Sequence, residues 1–220
     1  MCCFPEHRYY RIRSQCYIHQ SMDIFSRSAS SSREFIEETV TALLSAESNQ
    51  AAAEIIGRAL SAYTVFDLQY IGGYLKCEAE RLPDPYRRLY RPYCMDLFDQ
   101  YHAFMQDFRP GIVCHGPLPD LDLWKKYWTG VPEYCFQDAV SSQSPRPVQN
   151  HPLSKFFYRL VFAYVMFVKG GCGHPVGMPF PGGFRIRQAG DIVYCPIRDR
   201  EKDLPQALCN YCPAKQDPDF

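Results

Sequence analysis

Three cysteines towards the C-terminal end of this chain, with two further donors upstream, are spaced for metal chemistry. Cys209-Asn210-Tyr211-Cys212 is a Cys-x-x-Cys pair, which lets two thiolates reach one cation from a single tight turn. Tyr194-Cys195-Pro196 supplies a third sulfur, and Gly171-Cys172-Gly173-His174-Pro175 offers a fourth thiolate or an imidazole. Four-coordinate closure by Cys195, Cys209, Cys212 and either Cys172 or His174 suits Zn2+, and the same thiolates suit an iron–sulfur cluster. Spacing does not choose between the two. A ferredoxin-type run has several cysteines two or three residues apart, whereas this segment has one such pair. A thioredoxin-like redox pair would need a βαβ pattern around it. The plain alternative is a set of reduced thiols in a tight cap.

The elements that must bring these donors together are short. Phe184-Arg185-Ile186-Arg187 and Ile192-Val193-Tyr194-Cys195 read as two strands joined at Gln188-Ala189-Gly190-Asp191. That reversal places the Gly/Pro-rich stretch 170–183 close to the Cys195 end. Leu204 to Cys209 reads as one helical turn leading into the Cys-x-x-Cys. The loop GGCGHPVGMPFPGG suits close backbone approach to a ligand, with Arg185, Arg187, Arg198 and Arg200 on hand for an anion. It lacks the Lys-Ser/Thr of a P-loop and opens no helix. A stiff loop folded over the metal site is the favoured reading.

Upstream the periodicity is helical. Ser31 and Glu34 form a capping box before Phe35, Ile36, Val40, Leu43 and Leu44. Ala51–Ala62 is a second helix. Thr64 caps a third, Val65 to Arg81, which Gly72-Gly73 weakens by about 1 kcal/mol per glycine. Asp84 with Pro85 opens a helix that runs to Phe108 with a kink at Pro92; Tyr86, Tyr90, Tyr93, Leu97, Tyr101 and Phe104 are its apolar stripe. A loop around Cys114-His115 precedes a short helix over Pro119–Trp128, and residues 141–152 are a Pro/Ser/Gln loop. Leu153–Lys169 is the core helix, stopped by Gly170-Gly171.

Composition narrows the class of protein. The chain has 220 residues, 46% of them hydrophobic, with 24 basic and 24 acidic side chains. This implies a globular core and no global pull towards nucleic acid or anionic lipid. Eleven cysteines without a secretory h-region point to a reducing cytoplasm. The most apolar run, Phe156–Val168, is broken by Arg159 and is far shorter than the roughly 20 residues of a membrane span, so no membrane insertion is expected. Asp99 and His102 form a lone D-x-x-H, whereas a di-iron bundle needs two such motifs and two more carboxylates. Arg87, Arg88 and Arg91 interleave with tyrosines, but those tyrosines keep helical core spacing, which argues against a nucleic-acid surface. Cys77, Cys94 and Cys135 read as small core residues, and Cys114 as a loop thiol with no placed base. Residues 1–32, ending in Ser26-Arg27-Ser28-Ala29-Ser30-Ser31-Ser32, read as a disordered extension, with Met22 as an alternative translation start.

The string from His174 to Gly183, with Tyr194-Cys195-Pro196-Ile197-Arg198-Asp199 and Cys209-Asn210-Tyr211-Cys212, resembles the domain-of-unknown-function family numbered 2115, found mainly in methanogenic archaea. The match is specific over 174–216 and looser over the helices. It implies an archaeal, anaerobic, cytoplasmic setting and no known activity. It also implies that His174 belongs to the family pattern more securely than Cys172. The expectation is therefore a mainly α protein: a helical domain over 33–169 and a Cys-rich hairpin cap over 170–220 packed on it. A structural Zn2+ would fasten that cap and leave it free to meet a protein partner. A redox or cofactor-maturation enzyme using an iron–sulfur cluster or thiols is the alternative.

Overall fold

The computed structural model describes residues 27–137 and 151–220. Helix α1 (Ala29–Leu44) begins earlier than expected. Ser28 is its N-cap, accepting from the Ser31 N–H, so Ser31 lies inside the first turn. A serine-rich run offers a hydroxyl at several helix-capping positions, and Ser28 is the one used. The last residues of the supposed 1–32 extension are thus helical. Residues 1–26, with Cys2, Cys3, Cys16 and Met22, fall outside the described residues, as do residues 138–150 of the expected loop.

Helices α2 (Asn49–Ser61) and α3 (Val65–Glu80) are capped by Ser48 and Thr64. Thr64 forms a full capping box with Asp67, whose carboxylate accepts the Thr64 N–H at 2.8 Å. The expected kinked helix over 84–108 is instead interrupted. Helix α4 (Tyr86–Tyr90) passes into a 3-10 turn at Arg91–Tyr93, and α5 (Asp96–Phe108) starts afresh. Pro92 has no N–H and its ring crowds the preceding turn, so the helix stops there. Asp84 is not the cap; Pro85 holds that position, and Asp84 pairs with Arg87 and Arg88. Helices α6 (Leu121–Trp128) and α7 (Val131–Phe136) follow, α6 capped by Asp120.

Helix α8 (Pro152–Ala163) is the axis of the bundle and runs on into a π turn at Tyr164–Val168. It packs against α1, α2, α5 and α7 and is buried nearly all round, as a central helix must be. Its two buried cations have defined partners. Lys155 Nζ donates to the Gln137 carbonyl at 2.6 Å and to the Tyr134 carbonyl at 3.2 Å, closing the C-terminal end of α7. Arg159 lies over the Tyr127 and Tyr134 rings and donates to the Gln206 carbonyl in the cap. No helix among the described residues is long and apolar enough to cross a membrane.

Among the described residues the fold is mainly α, with one small sheet near the C-terminal end. Strand β1 (Arg187–Ala189) pairs antiparallel with β2 (Ile192–Cys195), with Gln188 opposite Val193 and Gly190 at φ +59° in the turn. A third strand, β3 (Lys215–Gln216), runs parallel to β2, with Cys195 opposite Gln216. Two residues of strand carry no periodic signal, so the sequence does not reveal it. The expected first strand over 184–187 shifts towards the turn, because 178–186 folds on itself through Phe180 N–H to Phe184 O at 2.7 Å and Ile186 N–H to Met178 O at 3.0 Å.

The cap has its own small core of Met178, Phe180, Ile186, Cys195 and Ala214. Tyr90 and Tyr93 pack against it, so the upper half of the expected tyrosine stripe serves the cap rather than the bundle. Leu97, Tyr101 and Phe104 enter the main core as expected. Leu208 and Tyr211 from the cap also join the main core.

Candidate metal centre

The Cys-x-x-Cys lies on a 3-10 turn at Leu208–Tyr211 rather than on a helical turn over 204–209. Leu208 and Tyr211 are buried, and the Tyr211 ring stands edge-on to Tyr127 at 5.0 Å. This anchorage turns Cys209 inwards, where it is 4% exposed. The Cys212 N–H donates to the Cys209 carbonyl at 3.3 Å and closes the turn. Cys195, also 4% exposed, ends β2, and its carbonyl accepts the Asp217 N–H at 3.0 Å, so β3 holds it in place.

Cys172 and His174 arrive from the other side. The π turn ends in Gly170 at φ +66°, and Gly171 N–H closes back on the Val165 carbonyl at 2.8 Å. This reversal carries residues 172–174 over the Cys-x-x-Cys. The Gly173 N–H donates to Cys212 Sγ at 3.4 Å. The Cys172 thiol donates to the Cys212 sulfur as well, and that bond is the main reason the Cys212 thiol is pulled down to about 6. Amides of Gly173 and Ala214 and the charge of His174 act in the same direction, against burial. Cys172 is pushed up by the same bond, then by burial and by the charges of Cys212 and Cys195. The bond thus biases Cys212 towards the thiolate and Cys172 towards the thiol that donates to it.

Cys195, Cys209, Cys212 and His174 border one cavity of about 10 Å³, together with Met166 and Arg198. That is about the size of one water-sized sphere. Cys172 does not border it and reaches the site through Cys212. His174 also meets the Phe180 ring edge-on at 5.5 Å. The Asp96 carboxyl, in the first turn of α5, is pushed up chiefly by burial and then by Asp99, with a Gln100 hydrogen bond and the charge of His174 acting the other way. Sequence periodicity gave no reason to connect Asp96 with His174. Arg198 Nε is buried at the cavity without a hydrogen-bond acceptor.

Among the described residues, no group of three or more His, Cys, Asp and Glu side chains stands close enough together to hold a metal ion. The sulfurs share protons and amide hydrogens instead. Zn–S bonds of about 2.3 Å would require the side chains to draw inwards.

The other sequence candidates separate cleanly. The four arginines do not form an anion site. Arg187 forks onto Asp217 and also meets Asp219; Arg185 donates to the Gly177 carbonyl; Arg200 covers the Phe220 ring at 4.1 Å; Arg198 pairs with Asp199. Arg87 and Arg88 pair with Asp84, and Arg91 with Glu80, while the Tyr86 hydroxyl donates to the Pro179 carbonyl in the cap at 3.3 Å. Cys135 is fully buried, which pushes its thiol up to about 12, and Cys94 is half-buried. The Cys114 thiol is raised chiefly by burial, and its N–H is held by Gln50.

A profile described as "Uncharacterized protein conserved in archaea (DUF2115)" matches residues 48–217, which include every candidate ligand. The chain belongs to this archaeal family. Among its relatives, a UPF0305 protein of Methanopyrus kandleri is 38% identical over 84 residues, 38% of this chain and 59% of that protein. A UPF0305 protein of Methanothermobacter thermautotrophicus is 40% identical over 92 residues, 41% of this chain and 55% of that protein. This chain therefore spans little more than half the length of these two relatives. A UPF0305 protein of Methanocaldococcus jannaschii is 20% identical over 171 residues, 74% of this chain and 92% of that protein. No solved structure matches the chain.

Proposed function

We propose that the C-terminal cap is a metal-stapled module, with a structural Zn2+ held by Cys195, Cys209, Cys212 and either His174 or Cys172. The observation that carries this reading is the convergence of the first three thiols and the His174 ring on one cavity, from three separate stretches of chain. The cap's own buried cluster is five residues, so a metal would add to the hold that Leu208 and Tyr211 already give it on the main core. A closed four-ligand shell would serve structure rather than reaction, leaving the cap to present a surface to a protein partner in the cytoplasm. His174 has the cavity in its favour; Cys172 has its bond to Cys212.

That bond also favours a second reading. A thiolate beside a thiol is the arrangement of redox-active pairs, so an enzyme of anaerobic metabolism working through thiols or an iron–sulfur cluster is the alternative. Anaerobic purification followed by metal analysis, beside Cys209→Ser, separates them. Colourless protein with one zinc per chain, lost in Cys209→Ser, supports the staple. Brown protein with stoichiometric iron supports the second reading. Normally folded protein without a transition metal refutes both metal centres.

A further inference from the structure

A second site lies on the bundle, separate from the cysteines. Helices α2 and α5 meet at Gly57, where a Cβ would stand 2.3 Å from the Phe108 ring. Away from that crossing they diverge around an open groove of about 970 Å³, at the upper end of the size range of small-molecule sites. Its apolar walls are Val65 and Leu68 from the first turn of α3, Met105 and Phe108 from α5, and Ile112 from the loop beyond. The loop wall is held firmly. Gln50 donates to the Ile112 carbonyl at 2.9 Å and accepts the Cys114 N–H at 2.8 Å, while Asn49 donates to the His115 carbonyl at 3.0 Å. A wall fixed in this way needs little ordering when a ligand binds.

Tyr101, His102 and Arg109 supply polar groups along the α5 wall of the groove. The Tyr101 and His102 rings stand 5.1 Å apart, and the Arg109 charge acts on the Tyr101 hydroxyl, lowering its pKa against the larger effect of burial. Among the described residues the Arg109 guanidinium has no hydrogen-bond or ion-pair partner, and neither does the Tyr101 hydroxyl. Glu54 on the α2 wall has its carboxylate engaged by the Gln50 amide at 2.7 Å. A second negative group on a ligand would be repelled there.

We infer that the groove between α2 and α5 binds an amphipathic organic anion. A single carboxylate or sulfonate is held by Arg109 and the Tyr101 hydroxyl, and an apolar or aromatic body lies along Val65, Leu68, Met105 and Phe108. The site does not depend on the metal reading, because none of its residues belongs to the cap.

Two fluorescent probes with the same body test the charge requirement: 8-anilinonaphthalene-1-sulfonate and the uncharged N-phenyl-1-naphthylamine. Each is titrated into the full chain. The anionic probe saturates one site and binds about tenfold or more tighter than the neutral one, as expected for a charge-assisted contact. Arg109→Gln removes that preference and leaves the neutral probe unchanged. Val65→Trp, at a position 60% exposed and so tolerant of size, fills the groove and weakens both probes. Equal affinity of the two probes for the wild type overturns the inference. So does unchanged binding of the anionic probe in Arg109→Gln, or of both probes in Val65→Trp.

Discussion

Two glycines inside helices give a direct test of the packing. Gly57 in α2 and Gly73 in α3 each cost about 1 kcal/mol relative to alanine by helix propensity. Their surroundings are opposite. At Gly73 an added Cβ meets nothing within 4 Å, so Gly73→Ala should raise stability by about 1 kcal/mol, or Tm by roughly 2–4 °C for a chain of this size. At Gly57 the same atom would lie 2.3, 2.4 and 2.7 Å from three carbons of the Phe108 ring, so the ring or the helix must move. Overpacking of that kind costs about 1–3 kcal/mol. Set against the same propensity gain, Gly57→Ala should be between neutral and about 2 kcal/mol less stable. The gap between the two variants is then about 1–3 kcal/mol. Urea denaturation of both, with equal m-values, measures it. Gly57→Ala proving as stabilising as Gly73→Ala would refute the α2–α5 contact and, with it, the shape of the groove.

Arg159→Met removes a charged donor to the Gln206 carbonyl and the contacts with the Tyr127 and Tyr134 rings, and should cost about 1.5–3 kcal/mol in urea denaturation, the range of a hydrogen bond to a charged group. If the cap holds zinc as proposed, Arg198→Gln, which removes a cation bordering the cavity, should change zinc affinity by about tenfold in competition with a coloured chelator, the size of effect that groups around a metal site have. The acid limb of the stability curve should owe part of its slope to Asp217, whose carboxyl Arg187 holds below the ordinary value. The folded pKa is the lower one, so this contribution is complete above the unfolded value near 3.9 and disappears as pH falls through the depressed one. Asp217→Asn should flatten that limb in pH-dependent melting.

The helices were largely legible in the sequence. Thr64 at the start of α3, the apolar run of α8 and its glycine stop were all marked by local chemistry that the tertiary structure leaves intact. The misses have physical causes. Periodicity runs unbroken through Tyr86–Phe104, but Pro92 splits that segment, and its first half turns to the cap. Serine spacing allowed more than one cap for α1. For the candidate site, the sequence named residues that the structure brings to one cavity but not how they approach it. The Cys172–Cys212 bond, the orphaned Arg198 Nε and the nearness of Asp96 to His174 depend on contacts between residues far apart in the chain. The groove left no motif at all, because its residues come from four segments and each looks like ordinary helix or loop.

The π turn after α8 gives the family a point of slack. It accommodates one residue more than an ordinary α turn would in the same place. Deleting a single residue within 164–168 would relax it to regular helix and leave the flanking segments nearly in place, whereas deleting one from the regular helix would swing every atom downstream by about 100° and step it back about 1.5 Å. The approach of Cys172 and His174 to the Cys-x-x-Cys is thus tolerant of chain length at this one spot, and relatives that lack one residue there should show regular helix where this chain has the π turn.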